Sequence, residues 1–324
     1  MGTVNTVKGP IDAGELGATL MHEHVFIRTL EVERNWPTGW DARAAVSEAV
    51  DRLQELHQAG IGTIVDLTVP ELGRDIELIQ EVAAQVDLHI VVATGFYTYD
   101  ALPHYFGLRT AAFQKSGMDV LDEFFLHDIE EGIAGTGVKP GILKCATDEK
   151  GLTPDVERVL RAVARVHRRT GVPISTHTHA PSRRGLDQQR VFGEEGVDLS
   201  RVVIGHSGDT EDLEYLRTLM DAGSTIGMDR FGVDIYLPMA KRVAVIADLS
   251  RQGYADHMVV SHDANCHFDW VDPEIVKAST PNWHFMHISR DVLPALREAG
   301  VTEEQIHSML VDAPRRILDH GPGY

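Results

Sequence analysis

Eight short β-branched runs, each followed by a longer stretch of different patterning, set the tightest limit on how this chain can fold. The runs lie near residues 18–26, 62–68, 88–95, 138–146, 172–178, 201–206, 224–229 and 257–263. Each is almost continuous in Val, Ile, Leu, Thr and Ala, the composition of parallel strands buried on both faces. Between them, residues 41–59 place Ala45, Val46, Ala49, Val50, Leu53 and Leu56 on one stripe and stop at Gly60. Residues 153–170 open on Thr153-Pro154 and close on basic residues before Gly171. Residues 210–222 and 302–310 read as further helices. Strand–helix alternation repeated eight times favours an α/β (β/α)8 TIM barrel over an open sheet, with any site at the C-terminal face of the strands. No Pro/Gly/Ser linker or charge block divides residues 1–324, so one domain is expected. The short polar lead before the first strand is expected as a capping hairpin.

That topology gives meaning to the residues at the strand ends. His22 and His24 are one residue apart, so on a strand they share a face, and such a pair suits chelation of a divalent ion. Glu23 points the other way and is not expected as a ligand. Lys144 lies in the apolar run Gly-Ile-Leu-Lys-Cys-Ala, where a bare ammonium costs several kcal/mol. It either forms a buried salt bridge or, with its pKa lowered, takes up carbon dioxide as a carbamate. His177 and His206 end the fifth and sixth runs, and Asp263 ends the eighth, where a carboxylate can bind metal and accept a proton. His179 shares the nominal face of His177, and spacing does not choose between them. His262 points away from Asp263. Each residue alone has an ordinary structural explanation, but their coincidence on strands 1, 4, 5, 6 and 8 points to a metal site.

Two connections are long for a compact domain, near 96–115 and 264–283, and long loops over a barrel's active face are usually functional. Their Tyr97, Tyr99, Tyr105, Phe106, Phe268, Trp270 and Trp283 imply an apolar substrate pocket. The chain carries 30 Lys and Arg against 49 Asp and Glu, a formal charge of −19, which argues against nucleic acid or an anionic membrane as partner. Two cysteines, Cys145 and Cys266, do not make a disulfide framework. With no apolar signal segment at the N-terminus, a cytoplasmic location is expected. There is no His-Glu-x-x-His, P-loop or Gly-x-Gly-x-x-Gly, and Gly205-His206-Ser207-Gly208-Asp209 fails as a nucleophile elbow at its fifth position.

From Gly9-Pro10-Ile11 to Pro314-Arg315-Arg316-Ile317 the chain resembles the phosphotriesterase family of the amidohydrolase superfamily, and more closely its phosphotriesterase-like lactonases. The resemblance is carried by Thr19-Leu20-Met21-His22-Glu23-His24, Ile142-Leu143-Lys144-Cys145-Ala146, Ser175-Thr176-His177-Thr178, Ile204-Gly205-His206-Ser207 and Ser261-His262-Asp263. It implies two divalent metal ions, zinc first, with cobalt, iron or manganese as alternatives. The more buried ion takes His22, His24 and Asp263, and the more exposed one takes His177 rather than His179, together with His206. N6-carboxylated Lys144 and a hydroxide bridge the pair.

Tyr97 in Thr94-Gly95-Phe96-Tyr97 and Arg230 in Gly227-Met228-Asp229-Arg230 resemble lactonase residues, as does Trp270 in the last long loop. By that likeness Asp263, Tyr97 and Arg230 are the catalytic candidates. Tyr97, Tyr99, Arg230, Cys266, Phe268, Trp270 and Trp283 are the pocket candidates. For Arg230 the competing expectation is an ion pair with Asp229 or Asp234. The implied reaction is the opening of small-molecule lactones, N-acyl-homoserine lactones foremost, by a homodimer with weak phosphotriesterase activity. The alternatives are a dedicated phosphotriesterase, another carboxylic-ester hydrolase of the same fold, or a barrel that binds ligands without catalysis.

Overall fold

The structure is a computed structural model that describes residues 2–319 and 321–324. Eight strands form one parallel sheet in sequential order: β1 Ala18–Glu23, β2 Ile61–Asp66, β3 His89–Gly95, β4 Ile142–Thr147, β5 Ile174–Thr178, β6 Val202–Ile204, β7 Thr225–Met228 and β8 Met258–Val260. The ring closes between the C-terminal end of β1 and the residues that follow β8. There the Asp263 N–H donates to the His22 carbonyl at 3.0 Å and the His24 N–H to the Ala264 carbonyl at 2.8 Å. The expected (β/α)8 barrel is the observed one.

Alternate strand residues divide between two apolar layers, as a two-residue repeat requires. Val65, Val91, Ile142, Val203 and Val259 cluster with Val4. Their neighbours Ile64, Val92, Leu143 and Ile204 pack instead against helix residues such as Leu53, Leu160 and Leu216. Each such side chain is worth about 1.5–3 kcal/mol when fully buried. The polar lead forms a hairpin, Thr3–Thr6 against Gly9–Asp12, that puts Val4 into the first layer.

The outer helices begin where their side chains can satisfy free N–H groups. In α1, Ala42–Gln58, Asp41 accepts from the Ala44 N–H, and in α2, Ile76–Ala83, Asp75 accepts from the Leu78 N–H. Among the described residues no helix is long and apolar enough to cross a membrane.

Neither long loop is structureless. The first contains a helical turn at His104–Leu108 and the last a helix at Pro273–Ser279. His267–Phe268 of the last loop also pairs in parallel with Phe26–Ile27, which ties it to the segment after β1. Two aromatics expected over the site lie elsewhere. Phe106 packs on Phe96 and Phe124, with ring centroids 4.8 and 5.7 Å away, and Tyr105 is exposed beside Arg109. Phe106 serves the helix layer because its turn is tied there: the Arg158 guanidinium donates to the Phe106 carbonyl at 2.9 Å.

Candidate metal centre and active site

His22 is fixed by β1 and by its Nδ1, 3.0 Å from Asp229 Oδ2. His24 follows the strand and holds Thr68 Oγ1 with its Nδ1 at 2.8 Å. Both Nε2 atoms then face Asp263 Oδ1, at 3.5 and 3.2 Å. His206 Nδ1 and its backbone N–H both reach Asp229 Oδ1, at 2.9 and 2.8 Å, leaving Nε2 turned inward, 3.8 Å from Asp263 Oδ2. Asp229 thus holds two imidazoles at once. Burial alone would raise its carboxyl, but His206 and His22 hold it well below the ordinary range. The bridge needs a bare backbone beside it: a Cβ on Gly227 would sit 2.2 Å from Asp229 Oδ2.

His177 Nε2 lies 2.9 Å from Asp148 Oδ2, and its ring centroid is 4.6 Å from that of His206. Its Nδ1 faces Tyr97 Oη at 3.4 Å and Arg230 at 3.5 Å. Burial pushes this imidazole down to about 4, so it is neutral near pH 7. His179 turns off at the end of β5 to Ser182 Oγ, 2.7 Å away, and takes no part in the cluster. Lys144 is buried, with Nζ 3.1 Å from His22 Nε2. Among the described residues no carboxylate lies within ion-pairing distance of it, so the salt bridge considered from sequence is not formed. Burial lowers its pKa to about 8.

Ligand-type atoms of His22, His24 and Asp263 lie within 4.8 Å of one another, and so do those of His22, His206 and Asp229. The second set coincides with the hydrogen-bonded bridge through Asp229. This chemistry fits a divalent ion on two grounds. Imidazole and carboxylate donors converge, and each imidazole has its other nitrogen held by Asp229, Thr68 or Asp148, which sets the tautomer and sharpens the donor. His206 and Asp263 stand beyond the ends of β6 and β8 in left-handed backbone conformations, with φ of 57° and 55°. Reasoning from strand faces therefore does not extend to them.

Over this cluster opens a cavity of about 290 Å³. Its floor is the imidazole–carboxylate cluster with Arg230. Its walls include Ile27, Leu72, Val233, Phe268, Trp270 and Trp283. Tyr97 and Tyr99 stand at the boundary with their hydroxyls bonded to each other, and burial raises the Tyr97 phenol so that it keeps its proton. Arg230 lies under the Tyr236 ring, 4.7 Å from its centroid.

Two expectations are corrected. Arg230 pairs neither with Asp229 nor with Asp234, but with Asp209 at 2.9 Å and Asp263 at 3.1 Å. Asp229 is taken by the histidines, and Asp234 caps the Met239 N–H at 3.0 Å. Cys266 is not a pocket residue: it lines a separate cleft of about 660 Å³ on the far side of the last loop. Its N–H donates to the Val25 carbonyl, which seats it beside the segment after β1, and the cleft it lines is shared with Glu48, Arg52 and Glu55 of α1.

Sequence reasoning missed Asp229, Asp209, Asp148, Thr68 and the loop residues Val233 and Tyr236. For Asp229 a signal existed, since it ends an apolar strand just as Asp263 does.

The phosphotriesterase family model matches residues 2–318. A "Phosphotriesterase homology protein" of Mycobacterium tuberculosis is 58% identical over 325 residues, covering 100% of both chains. An "Aryldialkylphosphatase" of Saccharolobus solfataricus is 40% identical over 313 residues, covering 96% of this chain and 98% of its own. The solved structure of the phosphotriesterase from Mycobacterium tuberculosis superposes with a TM-score of 0.97 at 58% identity, covering 99% of this chain and 100% of that one. The chain belongs to the phosphotriesterase family of hydrolases.

Proposed function

We propose that this protein opens lactone rings that carry an aliphatic tail, N-acyl-homoserine lactones foremost. The observation behind this reading is the shape of the cavity: a polar, ionic floor beneath walls of Ile27, Leu72, Phe268, Trp270 and Trp283. Such a site suits an amphiphile whose small ester head meets the floor while its tail stays in contact with apolar surface.

The phosphotriesterase family depends on a pair of metal ions. In this chain His22, His24 and Asp263 would hold one and His177 and His206 the other, with zinc the first expectation. When bound, the ions would supply a water ionised near neutral pH and positive charge to offset the negative charge growing on the substrate. Lys144 supports the same reading. A buried amine with a depressed pKa is neutral often enough to add to the carbon of carbon dioxide, lose a proton and become an anionic carbamate.

The chain's own groups divide the remaining work. Tyr97, protonated and at the edge of the floor, donates its hydroxyl to the lactone carbonyl oxygen as negative charge gathers there. Asp263 is held ionised: burial would raise its carboxyl, but His22, His206 and Arg230 keep it well below the ordinary range. It accepts the proton of the attacking water and returns it to the ring oxygen as the ester C–O bond breaks, giving the open hydroxy acid. Arg230, anchored on Asp209, aims Asp263 for both transfers.

A second reading, a dedicated phosphotriesterase, is favoured by the name of the 40% identical Saccharolobus relative. Values of kcat/KM for a long-chain N-acyl-homoserine lactone and for paraoxon, measured on one preparation, separate the two. The lactone is expected to be preferred by at least tenfold, and a preference for paraoxon would overturn the lactonase assignment.

A further inference from the structure

Asp263 has a backbone that few aspartates adopt, and the groups around it account for that. Every backbone polar group from the His262 N–H to the Ala264 N–H has a partner. Glu23 Oε1 accepts from the His262 N–H at 2.9 Å, and Glu23 Oε2 from the Ala264 N–H at 2.8 Å. The Asp263 N–H donates to the His22 carbonyl at 3.0 Å. The Trp283 indole N–H donates to the carbonyls of Asp263 and His262 at 2.9 and 3.1 Å. The His262 ring completes the frame. Its Nε2 accepts from the Ile288 N–H at 2.9 Å, so its proton is on Nδ1 and is donated to Glu23 Oε1 at 2.8 Å. Glu23 is fully buried and faces three N–H donors.

We propose that Glu23 and Trp283 are positioning residues that hold residues 262–264 from opposite sides, so that Asp263 keeps its left-handed backbone and points its carboxylate at His22, His24 and Arg230. Glu23 is the middle residue of His22-Glu23-His24. β1 therefore sends two imidazoles to one face and, from the other, the carboxylate that fixes the acid facing them. Trp283 adds a link to the substrate side, because its ring also forms part of the cavity wall. The inference rests on the role proposed for Asp263.

Two variants probe the frame in the full-length, zinc-loaded protein. Glu23→Gln replaces one acceptor oxygen with an NH2 that must face an N–H donor. Trp283→Phe removes the indole N–H and keeps a ring in the wall. Three quantities are read: melting temperature, zinc retained against a competing chelator, and kcat with KM. Both variants are expected to lose zinc at least tenfold more readily and to lower kcat at least tenfold. Asp263→Asn serves as the reference and is expected to lose both as well.

A role confined to stability would lower the melting temperature and leave zinc retention and kcat at 25 °C unchanged, and that result overturns the proposal. Should Glu23→Gln fail to fold, Trp283→Phe decides alone on the same readouts. If Asp263→Asn weakens both quantities while the two variants match the parent, the frame is refuted and the role of Asp263 stands. If Asp263→Asn itself matches the parent, that role is refuted and the frame falls with it.

Discussion

Asp229→Asn tests how much of the site depends on one carboxylate outside the proposed ligand set. The carboxylate receives three N–H groups: the His206 backbone and His206 Nδ1 on Oδ1, and His22 Nδ1 on Oδ2. An asparagine has one oxygen for them. Its best placement keeps that oxygen on the His206 pair and turns the NH2 toward His22 Nδ1. His22 must then give up its Nδ1 proton and carry it on Nε2, the nitrogen that faces Asp263 and Lys144. A protonated Nε2 cannot ligate a metal. A hydrogen bond to a charged group is worth about 1.5–3 kcal/mol, so losing one at His22 corresponds to roughly tenfold to a hundredfold or more in affinity or rate. The assay is kcat/KM on a lactone with metal content measured by mass spectrometry on the same sample. A metal-replete Asp229→Asn variant within threefold of the parent would refute the claim that Asp229 sets the His22 tautomer.

Two further outcomes are expected. The chelated protein should lose stability on acidification, because burial lowers the His177 pKa to about 4 and that of His262 to about 3. Between those values and the ordinary value near 6.5 the unfolded chain binds more protons than the folded one. This stability is complete above that value and falls by about 1.4 kcal/mol per pH unit for each imidazole as pH drops through the window. Urea midpoints at pH 7.5, 6 and 5 check this, and midpoints that do not move count against burial of neutral imidazoles. The third outcome concerns Lys144: protein equilibrated with 13C-bicarbonate should show a carbamate resonance that Lys144→Met lacks, and a spectrum identical in both chains would remove the proposed modification.

The barrel was legible because strands buried on both faces leave unbroken apolar runs, and eight such runs leave few alternatives. The residues of the cluster were legible for the same reason: a lysine, a histidine or an aspartate stands out at the end of such a run. Their partners were less so. His177 was not separated from His179 by spacing, because the choice is made by the turn that sends His179 to Ser182. Arg230 was expected to pair with acids close to it in sequence, yet it pairs with Asp209 from the end of β6 and Asp263 from the end of β8, contacts that only the closed ring creates. Cys266 was counted among the pocket residues together with Phe268 and Trp270, whereas it lines a separate cleft shared with Glu48, Arg52 and Glu55 of α1.

One quantity joins these partners to the proposed chemistry. Arg230 and Arg242 offset Asp209 and Asp263, with Arg242 2.7 Å from Asp209 and Arg230 in contact with both acids. Among the described residues Asp229 pairs with no arginine or lysine and faces only the N–H groups of backbone and imidazole, which hold it ionised, whereas burial raises the Glu23 carboxyl well above the ordinary range and so lessens its share of the charge. The surrounding imidazoles of His22, His177, His206 and His262 all have lowered pKa values, so they contribute little positive charge near pH 7. As an ammonium Lys144 offsets part of the charge of Asp263 and Asp229, whereas as a carbamate it would add a further negative charge. Uncompensated charge buried in protein costs several kcal/mol per ion, and with Lys144 as the carbamate it would gather around inward-facing imidazole nitrogens that repel no cation. That excess would favour divalent ions there, so metal binding and folding of the strand ends should be linked.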